Sequence, residues 1–276
     1  MKFFSMNKVL LIILIIILLV MVLFPIYWMI SSSFKVENEI FSEPPTWFPK
    51  IFSLEHYYEL FGQFKFGRHL INTAVIAIGT TIISVAIGFP AAYGFSRFKF
   101  PGSNIMLIIM MMVRLFTPAA LITPFYDMMK ALHLIDSLLA IVISTSVINV
   151  PFVLWIMKVF FDEFPKGLEE AAKIDGCSYS NLFLRIVLPV SLPAIATAVL
   201  FSFTMGWNDL LFGLTLSQSI KSVPATVAIA SMSTGQRTYW GAMMSGGTIS
   251  SIPVVLLTLI LLRYYIRGLT MGAIKE

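Results

Sequence analysis

The stretch VLLIILIIILLVMVLF, residues 9–24, contains no polar side chain, and PIYWMI carries the apolar run to Ile30. A helix rises 1.5 Å per residue, so about 20 residues cross a hydrocarbon layer of about 30 Å. Val9–Ile30 therefore predicts one membrane-spanning helix. Lys2 and Lys8 would also suit a cleaved leader, but the run is longer than an ordinary leader core. Ser31–Ser33 leads straight into Phe34 and Lys35 with no small-residue cleavage site, so the helix is expected to stay.

The rest of the chain repeats the pattern. With 58 % hydrophobic and 12 % charged residues in 276, it holds more apolar surface than one core can hide, so lipid must cover the remainder. Five further apolar stretches, roughly 69–95, 104–126, 138–160, 189–213 and 240–266, are each long enough to span with some tilt. The expected fold class is an all-α membrane protein of six transmembrane helices, with both termini on one side of the membrane. Positive charge selects that side. A cytoplasmic N-terminus puts Lys2, Lys8, Arg97, Lys99, Lys158, Lys166, Lys173, Arg185, Arg263, Arg267 and Lys275 inside. Lys35, Lys50, Lys65, Arg68, Lys130, Lys221 and Arg237 then lie outside on longer loops. A multi-pass protein of the cell membrane with both termini cytoplasmic is expected.

Three regions follow from this topology: 1–68 with the first span and an external loop, 69–266 with five spans and a cytoplasmic loop at 161–188, and a tail at 267–276. Residues 34–68 are rich in Pro, Trp and Phe. Such aromatics suit a membrane interface, and a short folded cap is the alternative. Residues 214–239 form a second, mostly neutral outer loop.

Several chemistries are excluded at this level. Cys177 is the only cysteine, which rules out an intrachain disulfide or a thiolate metal cluster. His56, His69 and His133 are dispersed, so no metal site is expected. The net charge of +5 forms no basic stripe with interleaved aromatics, so nucleic acid is not an expected partner. No G-x-x-x-x-G-K-[ST] sequence occurs, so the chain is expected to carry no ATPase site of its own.

One segment breaks the apolar run: LEEAAKIDGCSYSNLFLRIVLPVSLP, residues 168–193. Pro165 suits a first helical turn, KGLEEAAKID is mostly helix-prone, and Gly176 suits a left-handed stop. Glu169 and Lys173 stand at i,i+4 in the favourable order. Ser178 or Ser180 suits the cap of a second helix, with Leu182, Phe183, Ile186 and Val187 on one stripe. The first helix has a narrow face of Leu168, Ala171, Ala172 and Asp175, which buries little but lets another surface approach the backbone. On pattern alone it is a docking element or an interfacial helix resting on headgroups.

Glu170-Ala171-Ala172, three residues, Gly176, nine residues, Ile186, one residue, Leu188-Pro189 resembles the EAA loop of binding-protein-dependent ABC importer permeases. Asp175 and Pro193 resemble the carbohydrate subset, with Cys177 where alanine is usual. FSRFKFPG, TPAALITPF, WNDLLFGLTL and RYYIRGLTMGAIKE extend the likeness to maltose/trehalose-type permeases of the second-subunit kind, over about residues 9–276. The resemblance implies a type I importer permease forming half of a translocation pore for a sugar, with a lean toward a di- or oligosaccharide. A homologous second permease, two ATPase subunits and an extracytoplasmic sugar-binding protein would complete it. No cofactor would sit on this chain; ATP and Mg would bind the ATPase. Glu169, Glu170, Ala171, Ala172, Asp175 and Gly176 would couple to that ATPase, supported by Leu188, Pro189 and Pro193. The tail Gly268–Lys275 would reach toward the ATPase dimer.

Polar residues inside spans supply pathway candidates. Arg114 lies near mid-span, where a charge needs protein or water. Pro118 and Pro124 would bend that span at Arg114 and Ala120. Arg114 lines a pathway, pairs with Asp209 or serves as a structural charge. Trp207, Asn208 and Asp209 combine a ring with amide and carboxylate, as sugar sites do, though an interfacial Trp is the commoner role. Asn72 and Asn149 fit interhelical hydrogen bonds better. An ion-coupled secondary transporter is the competing class. It would need intramembrane acids, and only Asp209 qualifies. A membrane enzyme would need clustered His, Asp or Glu at one interface, which the sequence lacks.

Overall fold

The structure, a computed structural model, describes residues 8–98 and 100–273. Residues 274–276, the end of the tail, and side chains beyond 262 lie outside that description. Four unbroken helices are long and apolar enough to cross a membrane: Leu10–Ser33, Phe66–Arg97, Leu138–Glu163 and Trp240–Leu262. Two bent helix pairs bring the number to six if each pair is one span. The chain divides into two units, 1–67 with 228–252 and 68–227 with 253–276. Residues 228–252, expected with the later five spans, pack with the first 67 instead.

In the first unit, α1 (Lys8–Ser33) is exposed along Leu10–Phe24 and becomes buried only at Ser31–Ser33. The loop after it is folded, with α2 (Glu37–Ile40) and α3 (Glu55–Gly62). Against α3 packs the start of the last helix: a Cβ at Gly241 would lie 2.2 Å from the His56 ring, so only glycine permits that approach.

The second unit is a helical bundle. α4 (Phe66–Arg97) enters it, and α5 (Ser103–Met112) follows with one tighter turn, Val113–Leu115. After α6 (Pro118–Ala131) comes α7 (Leu138–Glu163), the most buried span. α8 (Lys166–Ile174) and α9 (Tyr179–Leu182) form a hairpin that runs through a wide π turn, Phe183–Val187, into α10 (Leu188–Val190). α11 (Leu192–Trp207), α12 (Leu211–Leu216) and α13 (Ala225–Ser231) precede α14 (Trp240–Ala273). Small residues set the packing distances. A Cβ at Gly88 would sit 2.7 Å from Val153, and one at Gly206 would sit 2.8 Å from the Ala77 Cα.

The third span is bent, as its prolines predict, but by a break between two helices, and the fifth departs from the expected single helix. The third turns through 101° between Leu115 and Pro118. Thr117 is extended (φ −64°, ψ 138°) and Pro118 opens a new helix, where its missing N–H costs nothing. Pro118 thus starts α6 rather than clashing with the Arg114 carbonyl, and α6 continues through Pro124. The fifth bends by 73° at Ser191, between Pro189 and Pro193, and its second arm is Leu192–Trp207.

The end of the bundle at the start of α7 is strapped by polar bonds. Asp136 (φ +62°) accepts from the Gln218 and Ser219 N–H groups at 2.9 Å, from the Ser219 hydroxyl at 2.7 Å, and from Ser222. These donors hold its carboxyl well below the usual range, those of Ser222 and Ser219 foremost. Asn72 donates to the carbonyls of Ile220 (3.1 Å) and Val223 (2.9 Å). It bonds a loop, not a neighbouring helix as expected.

Candidate coupling site

The α8–α9 hairpin presents two chemically different faces. Pro165 is extended and precedes the helix as its N-cap, one position before the expected first turn. At the other end Gly176 takes φ +82°, its N–H bonds the Lys173 carbonyl (3.1 Å), and the Cys177 N–H bonds Ala172 (3.0 Å). That crossed pair is a Schellman stop, and glycine allows it because a Cβ would strain the left-handed turn. Ser178 then accepts from the Asn181 N–H at 3.4 Å and opens α9. The Lys173 ammonium lies 5.1 Å from the Tyr179 ring, bracing the two arms.

The inward face is Glu169 and Ala172, both nearly inaccessible. Glu169 Oε1 accepts from Arg97 Nε at 2.7 Å, and Oε2 accepts from the Tyr93 hydroxyl at 3.0 Å. Arg97, the last residue of α4, also donates to the Phe161 carbonyl (2.7 Å), the Phe164 carbonyl (3.2 Å) and Ser96 Oγ (3.1 Å). Those two carbonyls close the C-terminus of α7, where the helix dipole favours a cation. One guanidinium thus ties three helices together, a task its planar fork of donors suits and an ammonium does not. Around it, Ala172 joins Phe89, Tyr93, Phe161, Phe164, Leu182 and Val187 in one apolar cluster.

The sequence offered Ala172 on the small-residue docking face and, by the resemblance, Glu169 among the coupling residues; the structure turns both inward. The reason is Arg97, whose buried charge needs a carboxylate partner. Glu169 for the same reason does not pair with Lys173. Neither Tyr93 nor Arg97 was singled out for this role, since each lies more than 70 residues from Glu169. A lone arginine closing a span in FSRFKFPG was the available signal.

The outward face carries Glu170, Ala171, Lys173, Asp175 and Gly176, all exposed, and Ile174, which is 86 % exposed. An isoleucine so bare among charges is a surface suited to a partner. Leu188, Pro189 and Pro193 flank the Ser191 bend, where the Ser191 hydroxyl donates to the Val187 carbonyl at 2.7 Å. An open cleft of about 700 Å³ is lined by Tyr93, the partner of Glu169, with Phe98, Tyr179 and Phe183 among others.

The pathway candidates do not converge. The Arg114 guanidinium stacks 4.2 Å from the Phe152 ring centroid, and no ion pair joins it to Asp209. Asp209 instead accepts from the Gly213 N–H at 2.8 Å, capping α12. Trp207 is buried and stacked on Phe203 at 5.3 Å, so it is not a lipid-facing belt residue. Asn208 is exposed.

A helical bundle of up to six candidate spans with a charged two-faced hairpin at one end is the architecture of a multi-pass membrane protein. The family model for the inner-membrane component of binding-protein-dependent transport systems matches residues 84–271, and the chain belongs to that family. It is 31 % identical to the trehalose/maltose transport system permease protein MalG of Thermococcus litoralis, over 98 % of both chains. It is 30 % identical to the trehalose transport system permease protein SugB of Mycobacterium tuberculosis, over 92 % of both. Among solved structures, a chain of a bacterial ABC transporter that imports the acidic polysaccharide alginate superposes with a TM-score of 0.81. That match covers 96 % of this chain and 100 % of the other at 20 % identity, which speaks to the fold.

Proposed function

We propose that this chain is a sugar-importing permease, with a di- or oligosaccharide as cargo, that takes its driving force from separate ATPase subunits through the outer face of α8. Relatives named for trehalose and maltose transport support the sugar class. The carrying observation is the division of α8: Glu169 and Ala172 locked into the bundle, Glu170, Ala171, Lys173 and Ile174 bare. A helix held on one side and open on the other transmits a push without slipping. In this reading two ATPase subunits, carrying ATP and Mg, grip α8 and its counterpart on a homologous second permease. An extracytoplasmic binding protein delivers the sugar, and both termini lie in the cytoplasm with the tail near the ATPase. Closure of the ATPase pair would favour the outward-open state.

The test is a cysteine cross-link. With Cys177→Ser removed as background, Ile174→Cys should cross-link to the co-expressed ATPase subunit, whereas a cysteine at the exposed Leu11 of α1 should not. Sugar uptake by this chain alone in liposomes, or labelling of Ile174→Cys only from the extracytoplasmic side, would overturn the proposal and favour a secondary transporter.

A further inference from the structure

The loop after α1 turns back along the helix it has just left. The Trp47 ring lies 6.0 Å from Phe24 and 6.3 Å from Trp28, and the Phe48 ring lies 5.9 Å from Tyr27. Phe24 precedes Ser31 by roughly two helical turns, about 10 Å along the axis. Because the apolar run of α1 continues to Ile30, Trp47 stands beside the end of the span, not beyond it.

Irregular backbone survives at membrane depth only when its polar groups are paired within the protein. The side of this loop that lies against α1 meets that condition in part. The Trp47 carbonyl accepts from both the Tyr27 hydroxyl and Ser31 Oγ, the latter at 2.9 Å. The Thr46 carbonyl accepts from the Lys35 ammonium. Glu39 Oε1 accepts from Thr46 Oγ1 and from the Lys50 N–H, each at 2.8 Å. Lys35 itself is 1 % exposed, with its ammonium 4.3 Å from the Trp28 ring. Burial pulls its pKa below the ordinary value, against the opposing pull of Glu39.

The outside of the loop is the inverse of its inside. Trp47, Phe48, Ile51 and Phe52 are 62 %, 74 %, 64 % and 67 % exposed. A loop built for water would point its charges outward and its rings inward. Through Phe24 this apolar patch is continuous with the exposed flank of α1, a helix long and apolar enough to cross a membrane. Lys50, exposed at its rim, can reach headgroup phosphate while its stem lies on the rings.

We infer that Thr46–Phe52 is an aromatic hook that lodges in the headgroup and upper acyl region of the leaflet where α1 ends, so that its partner is the lipid surface. The hook fixes the folded loop against the bilayer independently of which side that leaflet faces.

A nitroxide placed at Phe48→Cys in the full chain carrying Cys177→Ser, assembled with its partners in phosphatidylethanolamine/phosphatidylglycerol vesicles, tests this. Collision with oxygen, which concentrates in lipid, should exceed collision with a water-soluble nickel chelate. Nickel collision in excess would place the hook in water, and low collision with both would place it under another protein; either result overturns the inference. Trp47→Phe gives a second reading without a label. Tryptophan quenching by lipids brominated high on the chain should lose a component in this variant, and equal quenching in variant and parent overturns the hook.

Discussion

Two regions of the bundle treat buried polar groups in opposite ways. At the α8 end every such group is partnered: Glu169 uses both oxygens, and Arg97 bonds a carboxylate, two carbonyls and a hydroxyl. In the middle of the spans the hydroxyls of Thr80, Ser84, Thr145 and Ser202 and the whole amide of Asn149 are buried without a hydrogen-bond partner. These residues sit on α4, α7 and α11, the helices that Gly88 and Gly206 bring into contact. A satisfied network specifies one geometry, whereas unsatisfied groups stabilise none in particular. The joint is therefore fixed in one arrangement by polar bonds, whereas the mid-span seam is held in its arrangement by close packing without them.

The largest expected effect comes from breaking the joint. Removing one partner of a buried ion pair typically costs about 3–5 kcal/mol, because the other charge is left stranded. Arg97→Ala should lower thermal stability and reduce uptake by at least about tenfold. Arg97→Lys should recover only part, since an ammonium cannot reach the carboxylate and both carbonyls together. Arg97→Ala with Glu169→Ala should cost less than the sum of the two, with a coupling of about 0.5–3 kcal/mol in a double-mutant cycle. Additive losses would mean that the two side chains do not act as one joint, and the contrast with the seam would fail.

How much of this was legible beforehand follows from the range of each interaction. The apolar runs place α1, α4, α7 and the start of α14 in the sequence, because membrane thickness imposes a length on each. The bends at Thr117 and Ser191 were harder to read. Proline marks that a helix is perturbed, but whether it kinks or restarts depends on whether the preceding residue finds an extended conformation. The Gly176 stop is local chemistry and was readable. The orientation of α8 was not. Small-residue spacing offered the stripe Leu168, Ala171, Ala172 and Asp175 as a docking face. The deciding contact, Arg97 with Glu169, joins residues far apart in sequence, and Leu168 and Ile174 stay exposed because of it. Asn149 read as an interhelical hydrogen-bonder for the same reason: its residue type is visible in sequence, its lack of a partner is not.

Intermediate effects sharpen the seam. Gly206→Ala would force a methyl to within 2.8 Å of the Ala77 Cα, a backbone atom that cannot rotate away. Overpacking of this kind typically costs about 1–3 kcal/mol, and a thermal melt in detergent should fall accordingly. Asn149→Leu has the opposite sign. Replacing an unpartnered buried amide by an apolar group of similar size is near neutral or stabilising. The melting temperature should hold or rise. A fall of several degrees would show that Asn149 has a partner after all and would erase the distinction between the two regions.

The smallest expected effect lies at the opposite end of the bundle, where Asp136 straps residues 216–222. Its folded pKa lies below that of an unfolded aspartate, near 3.9, so the strap is fully formed above that value. As pH falls below about 4, the unfolded chain takes up the proton first, and stability drains progressively toward the folded pKa. Asp136→Asn should therefore melt lower than the parent at neutral pH, and the gap should narrow as the solution is acidified from pH 5 to pH 3. Other carboxylates, Glu39 among them, shift in the same direction and remain in both proteins, so the difference between the two melts isolates Asp136. A gap that does not change with pH would mean that the hydroxyls and N–H groups around residue 136 bind an amide as well as a carboxylate. The strap would then be held by shape rather than charge, and only the α8 end of the bundle would depend on an ionised group.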